Sequence, residues 1–274
     1  MTKDWVIFTD LDGTLLDSTT YRWTAARRAL AILRQRGVPL VIVTSKTCAE
    51  VLPILRALRR REPFVVENGG AIYFPEGYFP SRIPEAAPAT RGLRRVTLGT
   101  PRRRLVAALN RAARRTGVHV RSFAAMSARE VAERAGMTLL EARRAGRREF
   151  DEPFVLLNRT DRAWKRLRAE IRRQGFHVTR GSRFFHILGN NDKGAAVHKL
   201  IAWFRRALGT QVNSVGLGDS PNDIPMLRAV DVPVLVARPG GRYDLETLAA
   251  VPQARRAGGV GPVGWNRAIV RLLA

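Results

Sequence analysis

The chain has 274 residues, with 48 Lys and Arg against 23 Asp and Glu, a formal net charge of +25, and 45% hydrophobic residues. That length and apolar share support a large buried core, and one domain plus an insertion fits them better than one compact unit. No run of about 18 apolar residues is present, which excludes a helical membrane span, and the lone Cys48 excludes an internal disulfide.

The chain starts Met1-Thr2-Lys3-Asp4, without a charged-then-apolar leader, and the expectation is a cytoplasmic protein. The apolar run from Trp5 to Thr9 predicts a short buried strand. Asp10 and Asp12 follow it two residues apart, so the period of a strand aims both carboxylates the same way, and Gly13 lets the chain turn. Two carboxylates this close repel, and a cation or a shared proton is expected between them. A helix is expected from Thr20 to Arg36, stopped by Gly37, and a second strand from Pro39 to Thr44. That strand ends in Thr44-Ser45-Lys46. Hydroxyls and N–H groups at a strand-to-helix junction cradle anions, although Ser45 serves equally as a cap for the next helix.

That helix is expected from Thr47 to Arg60, with Pro53 bending it or marking its start. It carries Cys48, read as a small packed thiol. Phe64–Glu67 predicts a third strand, and Ala71–Tyr78 a hairpin after Gly69-Gly70. Strand and helix alternate, which implies a parallel sheet with right-handed crossovers. Ser81–Pro88 reads as a linker. Beyond it the pattern changes. Helices are expected near 102–116, 127–136, 139–145 and 161–174. Strands are expected near 93–98, 119–122, 154–158, 177–180 and 184–188. This mixture predicts an antiparallel sheet with helices on one face. Residues 82–188 also hold 26 of the 48 basic residues but only 9 of the 23 acidic ones. A basic lid would draw in an anionic substrate; drift toward arginine explains the same numbers.

The parallel pattern resumes near Asn190. Asp192 suits the N-cap of a helix from Ala195 to Leu208, ended by Gly209, and Lys193 falls in its first turn. The chain has only five lysines, which makes this one notable. Val212–Leu217 predicts a strand running into Gly218-Asp219-Ser220-Pro221-Asn222-Asp223. Ser220 suits an N-cap and Pro221 the first helical position. Asp219 and Asp223, four apart, can approach one point, and such oxygen ligands suit magnesium. Val232–Val236 predicts another strand, and Trp265–Leu273 a final helix. Ligands of open parallel sheets bind beyond the carboxyl ends of the strands, and Asp10, Thr44 and Asp219 all fall at such ends.

The ordered set DLDGTLL (10–16), VTSKT (43–47), NDKGAAV (191–197) and GDSPND (218–223) resembles the haloacid dehalogenase (HAD) superfamily of phosphatases. The shorter strings ENGGAIY (67–73), RREFDEPF (147–154) and GPVGWN (261–266) look most like its mannosyl-3-phosphoglycerate phosphatase family. The resemblance implies an α/β fold, a Rossmann-like parallel-sheet core interrupted by an α+β cap. On this sequence the core would be residues 1–81 and 190–274 and the cap residues 82–189. It implies a magnesium-dependent phosphatase that converts mannosyl-3-phosphoglycerate to mannosylglycerate and phosphate through an aspartyl-phosphate.

In that scheme Asp10 is the nucleophile and Asp12 the general acid and base. Magnesium is held by Asp10, Asp219 and the Asp12 carbonyl. Thr44 or Ser45 holds the phosphoryl oxygens, and Lys193 offsets their charge. Asp223 orients the metal shell, with Asn222 beside it. For the leaving group, Arg147 and Arg148 would meet its carboxylate and Glu149 a sugar hydroxyl, with Lys46, Asn68 and Gly69 on the core side. Trp265 would border the pocket or anchor the last helix. His119, His177, His186 and His198 lack metal-ligand spacing and read as structural or exposed. Two other readings remain: a phosphatase of a related ester, such as glucosyl-3-phosphoglycerate or sucrose phosphate, and a nucleic-acid-binding protein on the same fold. The retained acids and Lys193 argue against nucleic acid. Oligomeric state has no signature in the chain.

Overall fold

The computed structural model describes residues 4–157, 160–180 and 184–273. The chain begins with β1 (Asp4–Thr9), α1 (Arg27–Gln35), β2 (Leu40–Val43), α2 (Cys48–Leu58) and β3 (Phe64–Val66). Three more strands follow, β4 (Ala71–Pro75), β5 (Ala87–Pro88) and β6 (Leu93–Thr97). The middle of the chain supplies α3 (Arg102–Thr116), β7 (Val120–Ser122), α4 (Ala128–Ala135) and α5 (Leu139–Ala145), then β8 (Glu152–Leu156), α6 (Asp161–Arg173), β9 (His177–Arg180) and β10 (Phe185–Leu188). The last third holds α7 (Lys193–Leu208), β11 (Val212–Gly218), α8 (Ile224–Ala229), β12 (Val232–Ala237), α9 (Leu245–Ala250), β13 (Arg255–Val260) and α10 (Gly261–Leu273).

Among the described residues, two sheets form. The larger runs β13-β12-β11-β1-β2-β3-β4-β6-β5 and is parallel from β13 to β3 and antiparallel beyond. Strand alternation explains its two buried faces. β1 sends Ile7 toward Leu33, Val51 and Trp265, and Val6 and Phe8 toward Leu200 and Phe204 of α7. Each fully buried side chain of this size contributes about 2 kcal/mol. Strands apolar on both faces are the mark of a parallel sheet with helices on either side. The register then places the functional loops: Thr9 lies opposite both Leu217 and Ile42, so Asp10, Asp219 and Thr44 leave the sheet along one edge.

The smaller sheet, β7-β8-β10-β9, is antiparallel and forms the cap. Its outer face buries Phe154, Leu156 and Ile187 against Leu105 and Leu109 of α3 and Leu167 and Ile171 of α6. Exposed arginines of α3 and α6, including Arg104, Arg111 and Arg166, therefore face solvent. This part of the basic excess lies on the far side of the cap sheet, not on a surface lining the site.

Several expectations need correction. Leu93–Thr97 is not a cap strand; it pairs with β4, and Ala87–Pro88 pairs with it, so the large sheet extends past residue 82. Alternating strands announce their period but not their partners. The first helix starts at Arg27 instead of Thr20, after a 3-10 turn at Thr24–Ala26. The Asp17 carboxylate accepts from Thr19 N, Thr20 N and Thr20 Oγ1 at 3.1, 2.8 and 2.9 Å, which holds a turn where a helix would begin. Those contacts also hold its carboxyl below the usual range. β13, with two arginines and two glycines, and the six-residue α9 carried no recognised pattern. α10 begins at Gly261, ahead of Trp265. Asn158, at the end of one expected strand, lies outside the described residues.

Candidate active site

Asp10 stands at the carboxyl end of β1 and is 5% exposed. Gly13, at φ +80°, turns the following loop back beside Asp219; a Cβ there would stand 3.0 Å from Asp219 Oδ2. Asp219 and Asp223 leave β11 in the GDSPND loop. Ser220 N and Asp219 N donate to Asp223 Oδ2 at 3.1 and 3.0 Å, which folds the loop, and Pro221 opens its 3-10 turn.

Lys193 is the first residue of α7, whose N-cap Asp192 accepts from Ala195 N at 2.8 Å. Its fully buried ammonium donates to Asp10 Oδ1 and to Asp223 Oδ1, both at 2.7 Å. The turn at residues 67–70 packs against this helix start. Asn68 and Gly69 have φ of +54° and +89°, and a Cβ on Gly69 would fall 2.0 Å from the Asp192 carbonyl oxygen. Only glycine permits so close an approach.

The electrostatics of the cluster follow from its burial. Oxygens of Asp10, Asp219 and Asp223 lie within 4.8 Å of one another. Burial pushes the Asp10 carboxyl well above its ordinary range against the pull of Lys193, with Asp223, Asp219 and Asp12 adding to the rise. Burial and Asp223 likewise push Asp219 up to about 7, although Arg238 Nε stands 3.3 Å from it. Lys193 loses hydration on burial, yet Asp10 and Asp223 together hold it above its ordinary value. Three crowded carboxylates outnumber the one buried ammonium among them. An all-oxygen donor set with surplus negative charge fits a hard divalent cation. Both Asp223 oxygens are already engaged, Oδ1 by Lys193 and Oδ2 by backbone N–H groups.

Asp12 follows in the loop after β1 and is partly exposed, with Lys46 Nζ 2.8 Å from its Oδ2. Thr44 is buried, and its Oγ1 accepts from Lys46 N at 3.2 Å, so this hydroxyl shapes the turn that presents Lys46. Thr47, not Ser45, caps α2, in a capping box with Glu50. Pro53 lies inside that helix. A cavity of about 70 Å³ opens beside Asp12, lined by Ser45, Lys46, Glu50, Arg148 and His186. A neighbouring one of about 240 Å³ shares Tyr21, Lys46 and Glu50 with it and extends along α2. Cys48 is half-buried on α2, and burial, with Glu149 and Glu67, pushes its thiol up to about 11.

The RREFDEPF segment divides. Arg148 reaches the cavity, donating from Nη1 to the Ser45 carbonyl at 2.9 Å and lying over Phe123. Arg147 is exposed. Glu149 points away, accepting from Arg95 Nη1 at 2.9 Å and from the Tyr73 hydroxyl at 3.4 Å. The structure therefore does not bring Arg147 or Glu149 to the site. Asn68 and Asn222 are buried and bonded to each other, Asn222 Nδ2 donating to Asn68 Oδ1 at 3.1 Å. Trp265 is fully buried and donates to Thr9 Oγ1 at 2.9 Å, so it anchors the last helix and does not border a pocket.

Sequence reasoning missed three residues. Arg238 pairs with Asp219 from β12's end, and no motif marks it. Asp151 and His186 join through Nδ1 at 2.9 Å and reach the site from the cap. The FDEP string contained Asp151, but nothing in the sequence pointed to its partner 35 residues on.

The comparisons with known proteins agree with this geometry. A family model described as haloacid dehalogenase-like hydrolase matches residues 7–84. A glucosyl-3-phosphoglycerate/mannosyl-3-phosphoglycerate phosphatase of Methanococcoides burtonii is 39% identical over 268 residues, covering 98% of this chain and 97% of that protein. One of the same name from Persephonella marina is 37% identical over 269 residues, at 98% and 97% coverage. Among solved structures, a Thermoplasma acidophilum protein superposes with a TM-score of 0.68 at 17% identity, covering 99% of this chain and all of that one. The sucrose-phosphatase of Synechocystis superposes at 0.61 with 16% identity and 98% coverage of both chains. These two show the shared fold. The chain belongs to the haloacid dehalogenase-like hydrolases.

Proposed function

We propose that this chain is a magnesium-dependent phosphatase of mannosyl-3-phosphoglycerate and glucosyl-3-phosphoglycerate, acting through an aspartyl-phosphate on Asp10. The observation that carries the reading is the meeting of four distant segments. Asp10, Lys193, Asp219 and Asp223 share one buried cluster, and the Lys46–Asp12 pair stands at its mouth.

Asp10 Oδ1 is held by Lys193, which leaves Oδ2 to attack phosphorus. The P–O bond to the leaving group breaks as the Asp10–P bond forms, and Asp12 supplies the proton to the departing oxygen. Asp12 then takes a proton from the water that cleaves the acyl phosphate. Asp10, Asp219 and the Asp12 carbonyl would hold magnesium, with Asp223 orienting them. Bound there, the ion supplies charge neutralisation that lets one anion approach another. Lys193 keeps its proton throughout and carries positive charge beside the transferring group. Ser45, at the cavity wall, and the N–H groups around it supply donors for the phosphoryl oxygens.

Two cations at the cavity, Lys46 and Arg148, favour a leaving group with a carboxylate over a neutral sugar. A phosphoglycerate carboxylate would draw Lys46 away from Asp12 and free that acid for proton transfer. The printed names of the Methanococcoides and Persephonella relatives support this choice. The test is phosphate release from both glycosyl-phosphoglycerates and from sucrose phosphate, with magnesium and with chelator. Release from the first two, only with the metal, is expected, and Asp10→Asn should reduce it by about 10³-fold or more. Release from sucrose phosphate alone would overturn the substrate; no release from any ester would overturn the activity.

A further inference from the structure

Asp151 is a fully buried carboxylate that the chemistry above leaves unused. Burial alone would raise its carboxyl, but His186 and Arg148 outweigh burial and hold it below the ordinary range. It is therefore an acceptor. His186 Nδ1 stands 2.9 and 3.0 Å from its two oxygens, Asn68 Nδ2 donates to it at 2.8 Å, and Arg148 Nη1 lies 3.4 Å away. So many donors on one carboxylate are needed to offset the cost of burying its charge.

The acceptor sets the tautomer of its neighbour. Facing an ionised carboxylate, His186 Nδ1 carries the proton. β10 turns Phe185 and Ile187 toward the cap helices, so His186 faces the other way, onto the cavity it shares with Asp12, Lys46 and Arg148. With Nδ1 spent on Asp151, Nε2 is the ring's remaining polar atom. The carboxylate is also tied to the core. Asn68 Oδ1 accepts from Asn222 Nδ2 at 3.1 Å, and Asn222 Oδ1 from Ser220 Oγ at 2.7 Å, a line of bonds from the cap to the loop of Asp219 and Asp223.

We infer that His186 is a specificity-determining contact for a hydroxyl of the leaving group, accepted at Nε2, and that Asp151 is its positioning residue. The inference rests on the phosphatase reading of the Asp10 site and extends it to the cap. Asn68 and Asn222 then act in the strut behind the pair, not as direct substrate contacts.

The test compares the preferred glycosyl-phosphoglycerate with p-nitrophenyl phosphate, whose leaving group carries no aliphatic hydroxyl. His186→Phe should lower kcat/KM for the glycosyl ester at least tenfold more than for the aryl ester, chiefly through KM. Asp151→Asn should show the same bias. In the free wild-type protein, ¹⁵N shifts of the imidazole should report the neutral ring as the Nδ1–H tautomer, and Asp151→Asn should shift the population toward Nε2–H. Equal losses on both esters, or an Nε2–H ring in the wild type, would overturn the inference. If the wild type cleaves the aryl ester but no glycosyl-phosphoglycerate, the substrate reading has failed, and the same ratio is taken with the sugar phosphate it does accept. The tautomer measurement needs no substrate and decides the Asp151 part even where Asp151→Asn fails to fold.

Discussion

Lys46 grips Asp12 across the mouth of the site, with Nζ 2.8 Å from Oδ2 and 5.2 Å from the centre of the Tyr21 ring. The same ammonium lines both cavities. A charged hydrogen bond contributes about 1.5–3 kcal/mol. Lys46→Met is therefore expected to lower kcat/KM for a glycosyl-phosphoglycerate roughly 10- to 150-fold. An ester whose leaving group lacks a carboxylate should lose less, since only the contacts of Lys46 within the protein, to Asp12, Glu50 and Tyr21, change. Steady-state kinetics on the two substrates separate these effects, and equal losses would remove Lys46 from carboxylate recognition.

Lys193 holds Asp10 and Asp223 apart as the shared counter-ion of both. Lys193→Met keeps most of the side-chain volume but strands two buried carboxylates. Breaking a buried pair from one side costs about 3–5 kcal/mol. Without added metal the variant should show that loss in urea unfolding, and it should not turn over any ester. An unchanged midpoint would mean that the carboxylates are hydrated once the ammonium is gone.

Magnesium should stabilise the protein, and more so at high pH. Burial and Asp223 raise Asp219 from 3.8 to about 7. A raised acid adds stability below its unfolded value and loses it as pH rises through the folded one. The metal-free chain thus loses stability between about pH 4 and 7 from this group. A cation favours the ionised form, so the rise in Tm with magnesium should be larger at pH 8 than at pH 5. Thermal unfolding with magnesium and with chelator measures it; a larger rise at pH 5 would contradict the metal assignment.

Glu67 provides a second pH effect, away from the acids. Its buried carboxylate accepts from Glu149 N at 2.9 Å and Phe150 N at 2.7 Å, and burial pushes it from 4.5 up to about 7 despite Arg148. Its contribution is present below about pH 4.5 and is lost as pH rises through about 7. Glu67→Gln stays neutral throughout. Relative to wild type, it should gain on the order of 1–3 kcal/mol between pH 5 and pH 8. Urea unfolding of both proteins at the two pH values gives the difference, and a constant offset would show that the N–H groups fully compensate the buried charge.

Gly69 and Gly77 form a matched pair. Both have positive φ, +89° and +76°, but a Cβ on Gly77 meets nothing within 4 Å. Gly77→Ala should cost about 1 kcal/mol for its backbone alone. Gly69→Ala must push the α7 start away, so it should cost clearly more and also reduce turnover by displacing Lys193. Parallel unfolding and kinetic measurements separate the two; similar behaviour would show that the 67–70 turn yields without moving α7.

Much of the catalytic end was legible because its signals are local. A strand followed at once by DLDG, TSK or GDSPND states both the element and the side chains at its end, and parallel pairing brings such ends together. The helix cap at Asp192 was readable for the same reason. Less was legible where a residue's role depends on a distant partner. His186 looked like a structural histidine until Asp151 came beside it, and Arg238 had no signature at all. Leu93–Thr97 showed a strand's period but joined the large sheet, because its free choice of edge was settled by β4.

The sequence alone named the candidate acids and the strand ends that carry them, and the structure gathers Asp10, Thr44 and Asp219 along one edge of the sheet. Register between parallel strands leaves the residues that follow them little freedom. Only the tertiary structure decided which side chains of the 147–151 segment face the candidate site. Arg148 and Asp151 turn inward and Arg147 and Glu149 outward. The segment has no regular period to predict this; its orientation is set by the Glu67 carboxylate gripping two of its N–H groups from across the fold.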